Sequence, residues 1–162
     1  MIASEYQLEE IGRTLTERAV DVYQMDGVEI VSRWFHSSND CDLMVWLDGD
    51  NLLVRFQFNI SGQIVDWNKH SGFRTGLIVE TEYASAGAKD ALTSETISYD
   101  KLVSGGAIRT AEQVLLAACE IRAPWREKMV RLLSAGSGNR TAIASRESRT
   151  RFWSRFKHWM TG

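Results

Sequence analysis

Cysteine, proline and histidine are all scarce in this chain: two, one and three residues among 162. A single proline beside twelve glycines excludes a collagen-like repeat, and two cysteines cannot build a disulfide scaffold. Cys41 and Cys119 stand far apart, with no Cys-x-x-Cys spacing. That argues against a zinc knuckle or a thioredoxin-like pair and predicts two reduced, buried thiols. No apolar run approaches the length of a membrane span, and residues 1–5 lack the basic start and apolar stretch of a signal peptide. Cytoplasmic location is the expectation that follows. Also missing are a Gly-x-Ser-x-Gly elbow, a His-Glu-x-x-His pair, a Gly-x-Gly-x-x-Gly fingerprint and any solenoid or propeller period.

What the chain does have is an ordinary globular composition, 44% hydrophobic and 25% charged. At this size one domain can bury about 70% of its unfolded surface, enough for a core without staples. The formal charge of −2 conceals an asymmetry. Residues 1–120 carry 19 acidic and 9 basic side chains, a net −10, whereas residues 121–162 carry 2 and 10, a net +8. Such a division implies a basic segment that leans on its own acidic body or reaches an anionic partner.

Ser4 with Gln7 fits a capping box, and Leu8, Ile11, Leu15, Ala19 and Val22 recur at helical steps, predicting an amphipathic helix over 5–22. From Gly27 the period becomes alternating, with strands expected near 28–36, 42–48, 52–58, 62–67 and 76–82. The short connections at 48–51 and 59–62 favour positive φ and make a meander, leaving no room for parallel crossovers. In the third of these strands Leu52, Val54, Phe56 and Phe58 should face the core, with Leu53, Arg55 and Gln57 opposite. Met44, Trp46, Leu53 and Arg55, together with Trp34, then define a mixed second face. Residues 84–97 read as a loop or short helix. Thr110 with Gln113 predicts a cap for a deeply packed helix to Arg122, and Pro124 opens another over 124–134. The fold class expected is α+β: an antiparallel meander of four or five strands, an N-terminal helix, two C-terminal helices packed on it and a basic amphipathic tail helix. One domain should occupy 1–135, a Gly/Ser/Arg linker 136–148 and the tail 149–162.

Two regions are candidates for function. The stretch 66–76, expected as a polar loop, offers Lys69, His70 and Arg74 as weak ligands for a phosphate or carboxylate, with Asp48 or Asp50 as a neighbouring carboxylate. It lacks the Walker spacing. Meander geometry separates His36 from His70, and Asp-Gly-Asp-Asn at 48–51 is a hairpin turn without the closing Glu of a calcium loop, so no metal site and no cofactor are expected. Glu80 and Glu82 share one side of a strand, where edge solubility explains them as well as catalysis does.

The second region is the tail. At 100° per residue Phe152, Trp153, Phe156, Trp159 and Met160 occupy one sector about 120° wide, with Arg151, Arg155, Lys157 and His158 outside it. This basic aromatic helix has three destinations: its own mixed sheet face, an anionic membrane surface reached by 149–160, or a groove on another protein. Nucleic acid is disfavoured, because a body at −10 repels phosphates. The function expected is a non-catalytic cytoplasmic binding or adaptor domain, contacting another protein or a second copy of itself as a homodimer. Its contact residues are Trp46, Arg55, Phe152, Trp153, Arg155, Phe156 and Trp159. The alternatives are a small-ligand or phosphate-handling enzyme at 66–76 and peripheral membrane attachment.

Overall fold

Ser4 caps the first helix as its spacing to Gln7 predicts. Its hydroxyl accepts from the Gln7 amide, while the Gln7 side chain accepts from the Ser4 amide at 2.8 Å. The computed structural model describes residues 4–83 and 92–138. They form α1 (Glu5–Thr14), seven strands β1 (Thr16–Met25), β2 (Val28–Ser37), β3 (Cys41–Asp48), β4 (Leu53–Ile60), β5 (Gln63–Asn68), β6 (Gly72–Tyr83) and β7 (Leu92–Tyr99), then α2 (Gly105–Ala117) and α3 (Ala123–Ser137). The strands lie in sequence order in one sheet, and every neighbouring pair is antiparallel. The class is α+β, with seven strands in place of four or five.

Both additional strands come from segments that the periodicity misread. The helix expected over 5–22 stops at Thr14, and residues 16–25 pair with β2 instead. Asp26 and Gly27 both take positive φ, 53° and 78°, the hairpin geometry that folds β1 back on β2 and satisfies its backbone groups there. Likewise 92–99 is a strand rather than loop, paired along β6 from Gly76↔Tyr99 to Tyr83↔Leu92. The stretch 66–76 is not a long loop. It consists of the end of β5, a three-residue turn and the start of β6, paired from Asp66↔Arg74 to Asn68↔Gly72.

One face of the sheet carries the core. Phe35, Leu43, Val45, Leu47, Phe56, Phe58 and Val65 pack there against Leu8 and Ile11 of α1, Ile108, Ala111, Val114 and Leu115 of α2, and Trp125, Met129 and Leu133 of α3. Phe56 sits in an aromatic cluster, edge-on to Phe58 and Phe73 and stacked with Trp67 at 5.7 Å. Leu52 does not join them. The register shifts between β3 and β4, where Leu47 pairs with Leu53 beside Trp46↔Arg55, so a bulge turns Leu53 into the core and leaves Leu52 57% exposed.

The helices also begin and end differently from the expectation. α2 is capped by Ser104 rather than Thr110, and its entry is pinned by a chain of bonds. The Ser104 amide donates to the Thr75 hydroxyl at 2.9 Å, and that hydroxyl donates to Asp100 at 2.6 Å. The helix stops at Ala117, so Cys119 is exposed, while Cys41 is buried. Burial, with Asp42 and Asp40 adding to it, pushes the Cys41 thiol well above its ordinary range. α3 contains Pro124 in its first turn and runs through Ser137, two residues into the stretch assigned to the linker. The tail, with Phe152, Trp153, Arg155, Phe156 and Trp159, and residues 139–148 lie outside the described residues.

Gly12 marks the closest approach of α1 to α2, because a β-carbon there would strike the Val114 carbonyl oxygen and the Ala117 side chain. Gly12→Ala should therefore destabilise by about 2 kcal/mol through overpacking, outweighing the gain of up to about 1 kcal/mol in helix propensity. Urea unfolding checks the sign, which an exposed helical glycine would reverse.

Candidate binding face

Side chains alternate along each strand, so the register that fills the core also composes a second face. To that face the described helices contribute none of the core cluster. Pairing places its residues in cross-strand rows. The central row runs Asp21, Ser32, Trp46, Arg55 and Asn68 across β1–β5. Beside it runs a row of Ala19, Trp34, Met44, Gln57, Asp66 and Arg74, and then one of His36, Asp42, Asn59, Ile64, Gly76 and Tyr99. Trp34, Met44, Trp46 and Arg55 thus share one surface, as the alternation predicts.

Asp66 organises the polar half. It is 1% exposed, and Arg55 grips it from β4 with Nε to Oδ1 at 2.9 Å and Nη2 to Oδ2 at 3.0 Å, while Arg74 reaches Oδ2 from β6 at 2.6 Å. Two guanidiniums on one carboxylate offset much of its desolvation cost, and the bidentate geometry fixes Arg55 in orientation. Each arginine also lies over an aromatic ring, Arg55 over Trp46 at 4.9 Å and Arg74 over Tyr99 at 4.2 Å. Burial first, then the Asp66 carboxylate, push the Tyr99 hydroxyl above its ordinary range, against the opposite pull of Arg74 and Arg55.

The aromatic half is ordered by a second carboxylate. Asp42 Oδ1 accepts from the Trp34 indole at 2.8 Å and lies 2.8 Å from His36 Nδ1. Gln57 lies between the halves, buried. Its Oε1 faces Arg55 at 3.5 Å, and its Nε2 has no partner among the described residues.

The remaining candidates are placed apart from this network. Lys69 and His70 are exposed in the β5–β6 turn, where their amides donate to the Val54 carbonyl and the Asn68 side chain. Arg74 instead points to Asp66 on the sheet, so the three weak ligand candidates serve different structures. Asp48 accepts from the amides of Asp50 and Leu52 at 3.1 and 2.9 Å, and Asn51 takes φ 62°, which makes 48–51 a hairpin turn. Among the described residues no group of three His, Cys, Asp or Glu side chains is gathered for a metal, and no helix is long and apolar enough to cross a membrane. Sequence reasoning missed Tyr99 and the central role of Asp66. The first lay in a segment without core periodicity, and the second stood where the expected strand 62–67 overlaps the stretch 66–76 read as a loop, with its partner Arg74 inside that stretch.

With the fold and this face in view, comparison of the chain with protein-family models, with curated proteins and with solved structures finds no match.

Two consequences can be measured. Asp66→Asn leaves two guanidiniums facing an uncharged amide and should cost about 3 kcal/mol in urea unfolding, the penalty of breaking a buried pair from one side. A loss below about 1 kcal/mol would show that solvent screens the cluster. Tyr99 is the pH probe. Because its folded pKa lies above the unfolded value of 10.0, its contribution is fully present below pH 10 and is lost as pH rises through the folded value. Tyr99→Phe should flatten the fall in stability above pH 10, and the alkaline absorbance titration of the variant should lose a late-titrating component that the wild type shows.

Proposed function

We propose that this chain is a non-catalytic protein-binding module, working in the cytoplasm, whose second sheet face receives an aromatic and basic segment. The observation that carries the reading is the rigid assembly of Trp34, Met44, Trp46 and Arg55 on a face outside the helix-packed core. Tryptophan, methionine and arginine are enriched where proteins bind one another, and tryptophan and arginine dominate the energy of such contacts. Their side chains are held in advance here. Asp66 fixes Arg55, Arg55 lies against Trp46, and Asp42 fixes Trp34, so binding has little rotamer entropy left to remove. The buried Gln57 Nε2 supplies a donor for an incoming carbonyl. Two free cysteines suit a reducing compartment.

The test uses the full chain as bait in lysate of its source cell, as wild type, as Met44→Lys and as Leu116→Lys. Met44 is half-buried at the centre of the face, and Leu116 is an exposed apolar residue on α2. Capture of a stoichiometric protein should fall at least tenfold for Met44→Lys, with circular dichroism unchanged, and should persist for Leu116→Lys. Capture lost only in Leu116→Lys would move the binding surface to the helices and end the proposal. A second copy as partner would register as a doubled mass in light scattering, sensitive to Met44→Lys in the same way.

A further inference from the structure

β1 stands at one edge of the sheet, and only half of its backbone groups face β2. The two-residue turn of Asp26 and Gly27 makes Met25↔Val28 a pair that exchanges both backbone hydrogen bonds, and bonded and non-bonded pairs alternate from there. Tyr23 and Asp21 therefore bond to β2, whereas Gln24, Val22 and Val20 turn their N–H and C=O groups away from it. Among the described residues no strand lies beyond β1 to receive them. The side chains on this edge are open too, Val20 at 43% exposed and Val22 at 55%, with Met25 at 53% and Val28 at 49% beside the turn.

A free edge is normally protected by lysine, proline or a bulge. Residues 19–25 contain neither lysine nor proline and carry one charge, Asp21. The bulge in β1 falls between Glu17 and Ala19, at the far end of this stretch, and leaves the stretch itself regular. The opposite edge of the sheet differs. On β7 the exposed Glu95 stands directly across from the exposed Glu80, so a strand added there would approach two like charges.

We infer that this chain forms a twofold dimer through β1, with residues 19–25 of two copies paired antiparallel and their sheets joined edge to edge. The occupant is a second copy because the edge complements itself in one register. Outward-facing groups must meet outward-facing groups, so the allowed registers differ by steps of two residues. An axis at Asp21 sets two carboxylates face to face, and one at Val20 runs the second copy into the bulge. An axis at Val22 avoids both. The backbone of Val22 then bonds to Val22 of the second copy, and Val20 to its Gln24. On the other side of the pleat Asp21 comes opposite a tyrosine, Tyr23 of the second copy, and Ala19 opposite its Met25. Past them Arg18 approaches Asp26 of the second copy, opposite in charge.

Symmetry favours the same arrangement. Pairing β1 with β7 of another copy leaves a free edge of each kind and adds copies without limit, whereas β1 on β1 closes after two. The axis is perpendicular to the sheet, so both helix layers fall on one side and both second faces on the other. The dimer goes beyond the proposed binding function and does not depend on it. Where both hold, one surface presents two copies of the face around Trp46.

The test is light scattering on the full chain from low to high micromolar concentration. Twice the 18.4 kDa of one chain is expected. Val22→Pro removes an N–H that bonds at the axis and not to β2, and it should weaken the dimer at least tenfold with circular dichroism unchanged. Met44→Lys should leave the mass doubled. The mass of a single chain at every concentration, or a doubled mass that a folded Val22→Pro retains, would overturn the inference. A covalent link decides the matter should Val22→Pro not fold. In a Cys119→Ser background, Val22→Cys treated with copper phenanthroline should oxidise to a disulfide dimer, since Cα atoms of a bonded pair lie about 5.5 Å apart, within disulfide reach. No covalent dimer, or an equal yield from Gln113→Cys on the exposed side of α2, would also overturn it. The two ideas fail separately. Doubling lost in Met44→Lys and kept in Val22→Pro moves self-contact to the second face and removes the edge dimer. Doubling lost in Val22→Pro, with no partner captured through Met44, leaves the edge dimer and removes the binding function.

Discussion

The contact at Gly12 holds together what the sheet by itself cannot. Among the described residues β1 and β7 stand at opposite edges of the seven-stranded meander and do not pair with each other. The helix that precedes β1 and the helix that follows β7 do meet, and Gly12 lets their backbones approach until the Val114 carbonyl lies against α1. α2 then continues the layer to α3, whose Trp125, Met129 and Leu133 complete the cover. All three helices are thereby committed to the Leu43 face. Because alternation along each strand is strict except at its bulges, this commitment also decides which side chains the helices leave alone.

The two faces are stabilised by different physics. On the helix face, leucine, valine and phenylalanine are withdrawn from water at about 25 cal/mol per Å² of apolar surface, a contribution that depends little on orientation. On the other face the central elements are one buried carboxylate and two guanidiniums, each lying over a ring. Such a cluster gives little net stability compared with well-packed hydrocarbon, because desolvation offsets most of the attraction. What it does supply is geometry. Asp66 on β5 ties Arg55 on β4 to Arg74 on β6, so the same bonds that lock three strands in register also fix where two planar cations and two aromatic rings stand.

Legibility in the sequence followed the same division. The meander from Val28 to Asn68 could be read because its strands alternate between core and surface and its turns carry Asp, Asn and Gly. The co-facial set Trp34, Met44, Trp46 and Arg55 followed from alternation alone. β1 was hidden because Leu15, Ala19 and Val22 happen to continue the helical spacing of Leu8 and Ile11, and only the Asp26–Gly27 turn and the pairing with β2 break it. β7 was hidden for the opposite reason. The interior of that strand is largely Thr, Ser and Glu, and an edge strand with little to bury leaves almost no hydrophobic period. The bulge that exchanged Leu52 for Leu53 in the core has no local signature at all, being set by the match between β3 and β4. The Asp66 cluster needs three strands in register, information that no window of sequence contains.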